Sequence, residues 1–177
     1  GRLDDAVGQF KKTLNLNPNS ANAYYNLGLA LLKKGLPGEA APEFEKALTL
    51  TPNDTDARWN LANSYARQGK TDKAIEQFRI LIASNAGSPE SFLDLGIALR
   101  QQGLAKEAIE CYRKALAINP EFAEAHFNLG NAFADSGQMD ESIEHYRSAV
   151  RLRPANAFFR NMLGITYGQN GEYGKAV

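Results

Sequence analysis

The chain has 177 residues, 44% hydrophobic and 23% charged, a globular and water-soluble composition with enough apolar material for a core. Its 20 Lys and Arg residues balance its 20 Asp and Glu residues, so net charge gives no general attraction to nucleic acid or to an anionic membrane. No apolar run approaches the roughly 20 residues that a membrane span needs, no signal-peptide pattern is present, and the single Cys111 excludes an internal disulfide framework.

Along the chain, Gly1, Gly35, Gly69, Gly103, Gly137 and Gly171 are spaced at steps of 34 residues. Pro18, Pro52, Pro120 and Pro154 keep the same step, with Ala86 in the vacant slot. With Ala21 as position 1 of the repeat, position 7 is Leu27, Leu61, Leu95, Leu129 and Leu163. Position 8 is Gly28, Ala62, Gly96, Gly130 and Gly164, position 20 is Ala40, Ala74, Ala108 and Ser142, and position 24 is Phe44, Phe78, Tyr112 and Tyr146. Such a period means an array of supersecondary units, each unable to bury its apolar face alone.

In chain order, residues 1–20 read as the second helix of a preceding repeat. Complete repeats follow at 21–54, 55–88, 89–122 and 123–156, each a pair of helices. The last stretch, 157–177, reads as a first helix and the start of a second. Apolar residues at positions 4, 7, 8 and 11 give the first helix its buried side. Ser20, Asp54, Ser88 and Asn156 are its N-caps, Phe122 being the exception, and the glycine at position 15 closes it as a left-handed C′ residue. At the third junction, "SNAGSPES", Pro89 after Ser88 fits a first helical turn, which predicts an altered loop rather than a break. Both ends of the chain cut a repeat, which predicts a fragment of a longer array.

These columns closely resemble the tetratricopeptide repeat family, over essentially the whole chain. The resemblance implies an all-α fold, a right-handed α-solenoid of stacked antiparallel helix pairs. It also implies a concave surface lined by the first helices, used for binding protein or peptide.

At 100° per residue, positions 2, 6, 9 and 13 of the first helix point away from its buried side. Position 6 is Asn26, Asn60, Asp94, Asn128 and Met162. An asparagine amide offers an acceptor and two donors, the complement of one peptide unit. A column of them predicts a ladder that grips the main chain of an extended ligand, interrupted at Asp94 and ended at Met162; the alternative is a solvated polar position. The column is similar to the one inside the superhelix of O-linked N-acetylglucosamine transferases, which holds extended polypeptide. Asn63 and Asn131 at position 9, Asn22 at position 2, and Lys33 and Arg67 at position 13 complete the candidate peptide-binding residues. Asp56, Glu90, Asp94, Glu124 and Asp135 make the middle of this surface acidic, which predicts a preference for a basic or neutral peptide.

Position 5 is Tyr25, Trp59, Leu93, Phe127 and Asn161. The resemblance implies that chaperone-tail binders of the family need a lysine there, so that carboxylate clamp is excluded. Trp59, Tyr25 and Phe127 lack the basic groove that base stacking needs. His126 falls in a packing column and His145 beside Cys111 by register, short of the three or four convergent ligands of a zinc site. The glycines recur once per repeat and are structural, not a phosphate loop. The sequence therefore predicts a non-catalytic, cofactor-free interaction scaffold, in the cytoplasm, with a peptide partner. Two alternatives stand beside it: a substrate-recognition region of a larger glycosyltransferase, and head-to-tail self-association through the terminal half-repeats.

Overall fold

The structure, a computed structural model, describes residues 1–171, with residues 85 and 86 described for their backbone alone. Among these residues there are ten α-helices and no strand. They are α1 (Arg2–Leu16), α2 (Ala21–Lys33), α3 (Pro37–Leu50), α4 (Thr55–Arg67), α5 (Thr71–Leu81), α6 (Pro89–Gln101), α7 (Ala105–Ile118), α8 (Ala123–Asp135), α9 (Met139–Leu152) and α10 (Ala157–Gln169). The start of a second helix expected at the end of the 157–177 stretch falls on residues 172–177, outside the described residues.

The chain divides into two compact units, Gly1–Ala86 and Gly87–Val177. In the first, α2 packs on α3, α3 on α4 and α4 on α5, with α1 against α2. In the second, α6 packs on α7, α7 on α8, α8 on α9 and α9 on α10. Each helix thus meets mainly its chain neighbours, the contact pattern of stacked helix hairpins.

Local chemistry sets the helix ends. The side chains of Ser20, Asp54 and Ser88 accept from the N–H of Ala23, Ala57 and Ser91 at 3.3, 2.9 and 3.2 Å. Asn156 Oδ1 accepts from Phe158 and Phe159 at 3.0 and 3.2 Å, while Phe122 opens α8 without a side-chain cap. Past the first helices, Gly35, Gly69, Gly103, Gly137 and Gly171 have φ between +71° and +79°, the left-handed region that closes a helix at little cost only for glycine. At the third junction α5 runs into a single π-helical turn, Ile82–Ala86, before Pro89 starts α6 at its first turn. The prolines cannot continue the second helices: α1, α3, α7 and α9 each end within two residues of one.

The core lies between the helices of each hairpin. Ala40, Phe44, Ala47, Ala74 and Phe78 are buried in the first unit, and Ala108, Tyr112, Ser142, Tyr146 and Ala149 in the second. The position 24 ring needs the small residue at position 8: a Cβ on Gly28 would lie 2.7 Å from the Phe44 ring, and one on Gly130 would lie 2.8 Å from Tyr146. Leu61, 3% exposed, packs in the same layer. Leu61→Ala is expected to cost about 2–5 kcal/mol as a core truncation. Gly69→Ala, at φ +71°, is expected to cost about 1–2 kcal/mol through backbone strain. Urea unfolding followed by circular dichroism reads both.

Candidate functional site

Positions 2, 6, 9 and 13 of the first helices carry the candidate residues in each unit. In the first unit, Asn26 is exposed on α2, and its Nδ2 donates to the carbonyl of Asn22 one turn earlier at 2.8 Å. Asn60 Nδ2 repeats that bond to Asp56 O at 2.8 Å and also reaches Tyr25 Oη at 3.5 Å. Asn60 is only 8% exposed, so it departs from the expectation that the whole column turns away from packed surface. The reason is Tyr25, whose ring meets Phe44 edge-on at 5.9 Å and whose hydroxyl end lies over the next first helix. Burial pushes the Tyr25 hydroxyl up from its ordinary pKa, with Asp56 and Asp54 adding to the shift. Asn63 is half-buried and donates to Trp59 O at 3.1 Å. Lys33 and Arg67 are exposed in the last turns of α2 and α4, where the helix dipole favours cations.

In the second unit, Asp94 on α6 is half-buried, and Asn128 Nδ2 donates to Glu124 O at 2.9 Å. Asn131 is committed differently: its Oδ1 accepts from the Tyr146 hydroxyl of α9 at 2.5 Å. The position 24 ring therefore reaches across the hairpin to position 9. In the preceding repeat those positions are Tyr112 and Ile97, and the Tyr112 hydroxyl is buried with no hydrogen-bond partner. Burial holds its pKa far above the ordinary tyrosine value. Arg100 Nε bonds Asp135 Oδ2 at 2.7 Å between α6 and α8, and Arg153 pairs with Glu124. Two of the carboxylates expected to make this surface acidic are thus neutralised from within the chain.

Helix α10 differs from the others. Its positions 2, 6 and 9 are Phe158, Met162 and Ile165, with Phe158 59% and Ile165 46% exposed. Phe127 of α8 stacks on Phe159 at 4.7 Å and lies 5.2 Å from Phe158, and Met162 packs on the same cluster. Phe158 and Met162 of this stripe therefore pack towards Phe127 of α8, while Ile165 stays exposed. Sequence reasoning missed the Tyr146–Asn131 bond, the Arg100–Asp135 pair and this stripe. A signal existed for the first only in the pairing of a position 24 tyrosine with a position 9 asparagine in one repeat, Tyr146 with Asn131, which Tyr112 and Ile97 lack.

Among the described residues, no three His, Cys, Asp or Glu side chains converge to hold a metal ion, and no helix is long and apolar enough to cross a membrane. What the inner faces offer is amide and carboxylate hydrogen bonding beside aromatic and aliphatic surface.

Models of the tetratricopeptide repeat match residues 1–35, 31–92, 96–137 and 130–171. The chain belongs to the tetratricopeptide repeat family. Comparison with curated proteins returns no match. Among solved structures, the chain is similar to MamA at 26% identity and TM-score 0.82, over 88% of this chain and 91% of that one. YrrB, described as a tetratricopeptide repeat protein with an unusual peptide-binding site, is similar at 24% identity and TM-score 0.75, over 95% and 87%. A thermophilic tetratricopeptide repeat protein of Thermus thermophilus follows at 24% and 0.70, over 89% and 86%. Tetratricopeptide repeat proteins are protein-interaction scaffolds, and the chain shares that architecture.

The two tyrosines should respond in opposite senses. Tyr112→Phe removes an unpartnered buried hydroxyl and should leave stability unchanged or raise it by about 1 kcal/mol. Tyr146→Phe strips Asn131 of its donor and should cost about 1 kcal/mol. Asn60→Ala, losing a buried amide, should cost more than Asn26→Ala, which is exposed. Parallel urea titrations of the four variants check the order.

Proposed function

We propose that this tetratricopeptide repeat chain is a non-catalytic scaffold that holds an extended polypeptide segment on the inner faces of its first helices. The observation that carries the reading is the state of the amides. At Asn26 and Asn128 one N–H is spent on the carbonyl a turn earlier. The Oδ1 and the second N–H stay open, the pair needed to meet the N–H and C=O of a ligand main chain. The back-bond also fixes the rotamer, so little side-chain entropy is lost when a ligand binds. In the second unit the Phe158–Met162–Ile165 stripe adds an apolar seat for a ligand side chain. Asn60 and Asn131 serve packing first, which narrows the ladder to exposed Asn26 and half-buried Asn128. With Asp135 and Glu124 paired internally, binding rests on amide and apolar contacts more than on a basic ligand.

Selection of peptides from a displayed library, followed by fluorescence anisotropy on the selected sequences, tests this. Within the second unit, Asn128→Ala is expected to bind about 30-fold more weakly, the two open bonds of one amide at about 1 kcal/mol each. Its helical circular dichroism should stay unchanged. Unchanged affinity in the folded variant would rule out the amide grip, and Phe158→Ser would then show whether the apolar seat alone retains the peptide.

A further inference from the structure

The second unit holds both histidines of the chain, and they touch. His126 Nδ1 on α8 lies 3.1 Å from His145 Nδ1 on α9, with the rings tilted at 31°. His126 Nε2 lies 3.0 Å from the carbonyl of Pro120 in the α7–α8 turn. A carbonyl only accepts, so His126 Nε2 carries a proton. Neutral His126 then presents a lone pair at Nδ1, and His145 must supply the bridging proton from its own Nδ1. This assigns the two tautomers and leaves His145 Nε2 bare.

The surroundings oppose added charge. Phe133 of α8 stacks on His145 at 5.5 Å and 9°, and the Arg113 guanidinium of α7 lies 6.0 Å from the Phe133 ring centre. Arg113 from α7 and Arg151 from α9 disfavour an imidazolium, and Glu144 from α9 favours one. From α6 and α10 no charged group is among those acting on either ring. A first proton leaves the bridge intact, whether it enters at His145 Nε2 or at His126 Nδ1 with the His145 proton moved to its Nε2. A second cannot, because both facing Nδ1 atoms would then carry hydrogen.

We propose that the His126–His145 pair is a proton-operated clasp, which ties α8 and α9 to the Pro120 turn when neutral and releases them when both rings are charged. Burial pushes both imidazoles below the ordinary histidine value, His145 down to about 4. The sign follows: an unfolded histidine takes up its proton near pH 6.5, the folded pair only at lower pH. Stability is therefore full above about pH 6.5 and declines as pH falls towards 4. Phe127 and Asn128 follow His126 directly on α8, so release of the clasp disturbs the inner face of this repeat.

Hydrogen exchange at pH 7 and pH 4, corrected for intrinsic rates, tests the clasp. The expected result is a loss of protection of about 10-fold in α8 and α9 at pH 4, with α2 and α3 unchanged as internal controls. In His126→Gln/His145→Gln, which removes every imidazole while retaining side-chain donors, the pH-dependent difference should vanish. Equal pH dependence in wild type and double variant, or a loss spread evenly over α2 and α3, would overturn the proposal. Imidazole nitrogen NMR of the wild type needs no variant. Nε2–H on His126 and Nδ1–H on His145 at pH 7 would support the pair, and titration of both rings at or above pH 6.5 would overturn it.

Discussion

Phe44, Tyr112 and Tyr146 each lie over a glycine of the helix before it, at a distance that leaves no room for a Cβ. That approach is the constraint on which each hairpin depends. It fixes how close the two helices come and therefore which residues stay in the interior. It also limits the small positions: the other complete repeats have glycine at position 8, and Ala62, the one alanine there, is fully buried. With the helix pair set, positions 7 and 20 fill the remaining space, and one apolar face is left for the next hairpin.

The same contact links the interior to the inner face. A phenylalanine at position 24 ends within apolar packing. A tyrosine there carries a hydroxyl to position 9, where only a polar residue satisfies it. Tyr146 meets Asn131, and Tyr112 lies buried with Ile97 at the matching position and goes unpartnered. An inner-face residue can thus be chosen by the core behind it rather than by a ligand in front of it. Asn131 carries less information about binding than Asn26 for this reason.

The repeat, the helix limits and their caps were legible because each rests on local chemistry at a fixed offset. Gly69 closes its helix at positive φ wherever the neighbouring repeats lie. Asp54 caps α4 through its own third neighbour. The features that escaped the sequence involve residues from different helices. Asn60 is buried because Tyr25, 35 residues earlier, covers it. Asp135 is neutralised by Arg100 and Glu124 by Arg153, pairings that a helical wheel drawn for one helix does not show. The sequence places His126 in a packing column and His145 beside Cys111 by register, and their mutual contact across α8 and α9 appears only with the helix crossing in hand.

The recurring asparagine at position 6 poses an energetic question, since its side chain competes with the backbone and makes it a mediocre helix former. The structure supplies part of the compensation. Asn26, Asn60 and Asn128 all donate to the carbonyl one turn earlier, so the competing hydrogen bond is made inside the helix. That bond lowers the cost without removing it, because alanine or leucine would still serve the helix better. Helix stability alone therefore does not select asparagine here. Packing selects it at Asn60, where a hydroxyl of the previous repeat needs a polar neighbour. Asn26 has no such neighbour among the described residues and is exposed, so the proposed grip on a ligand main chain rests on the Oδ1 and second N–H that its back-bond leaves over.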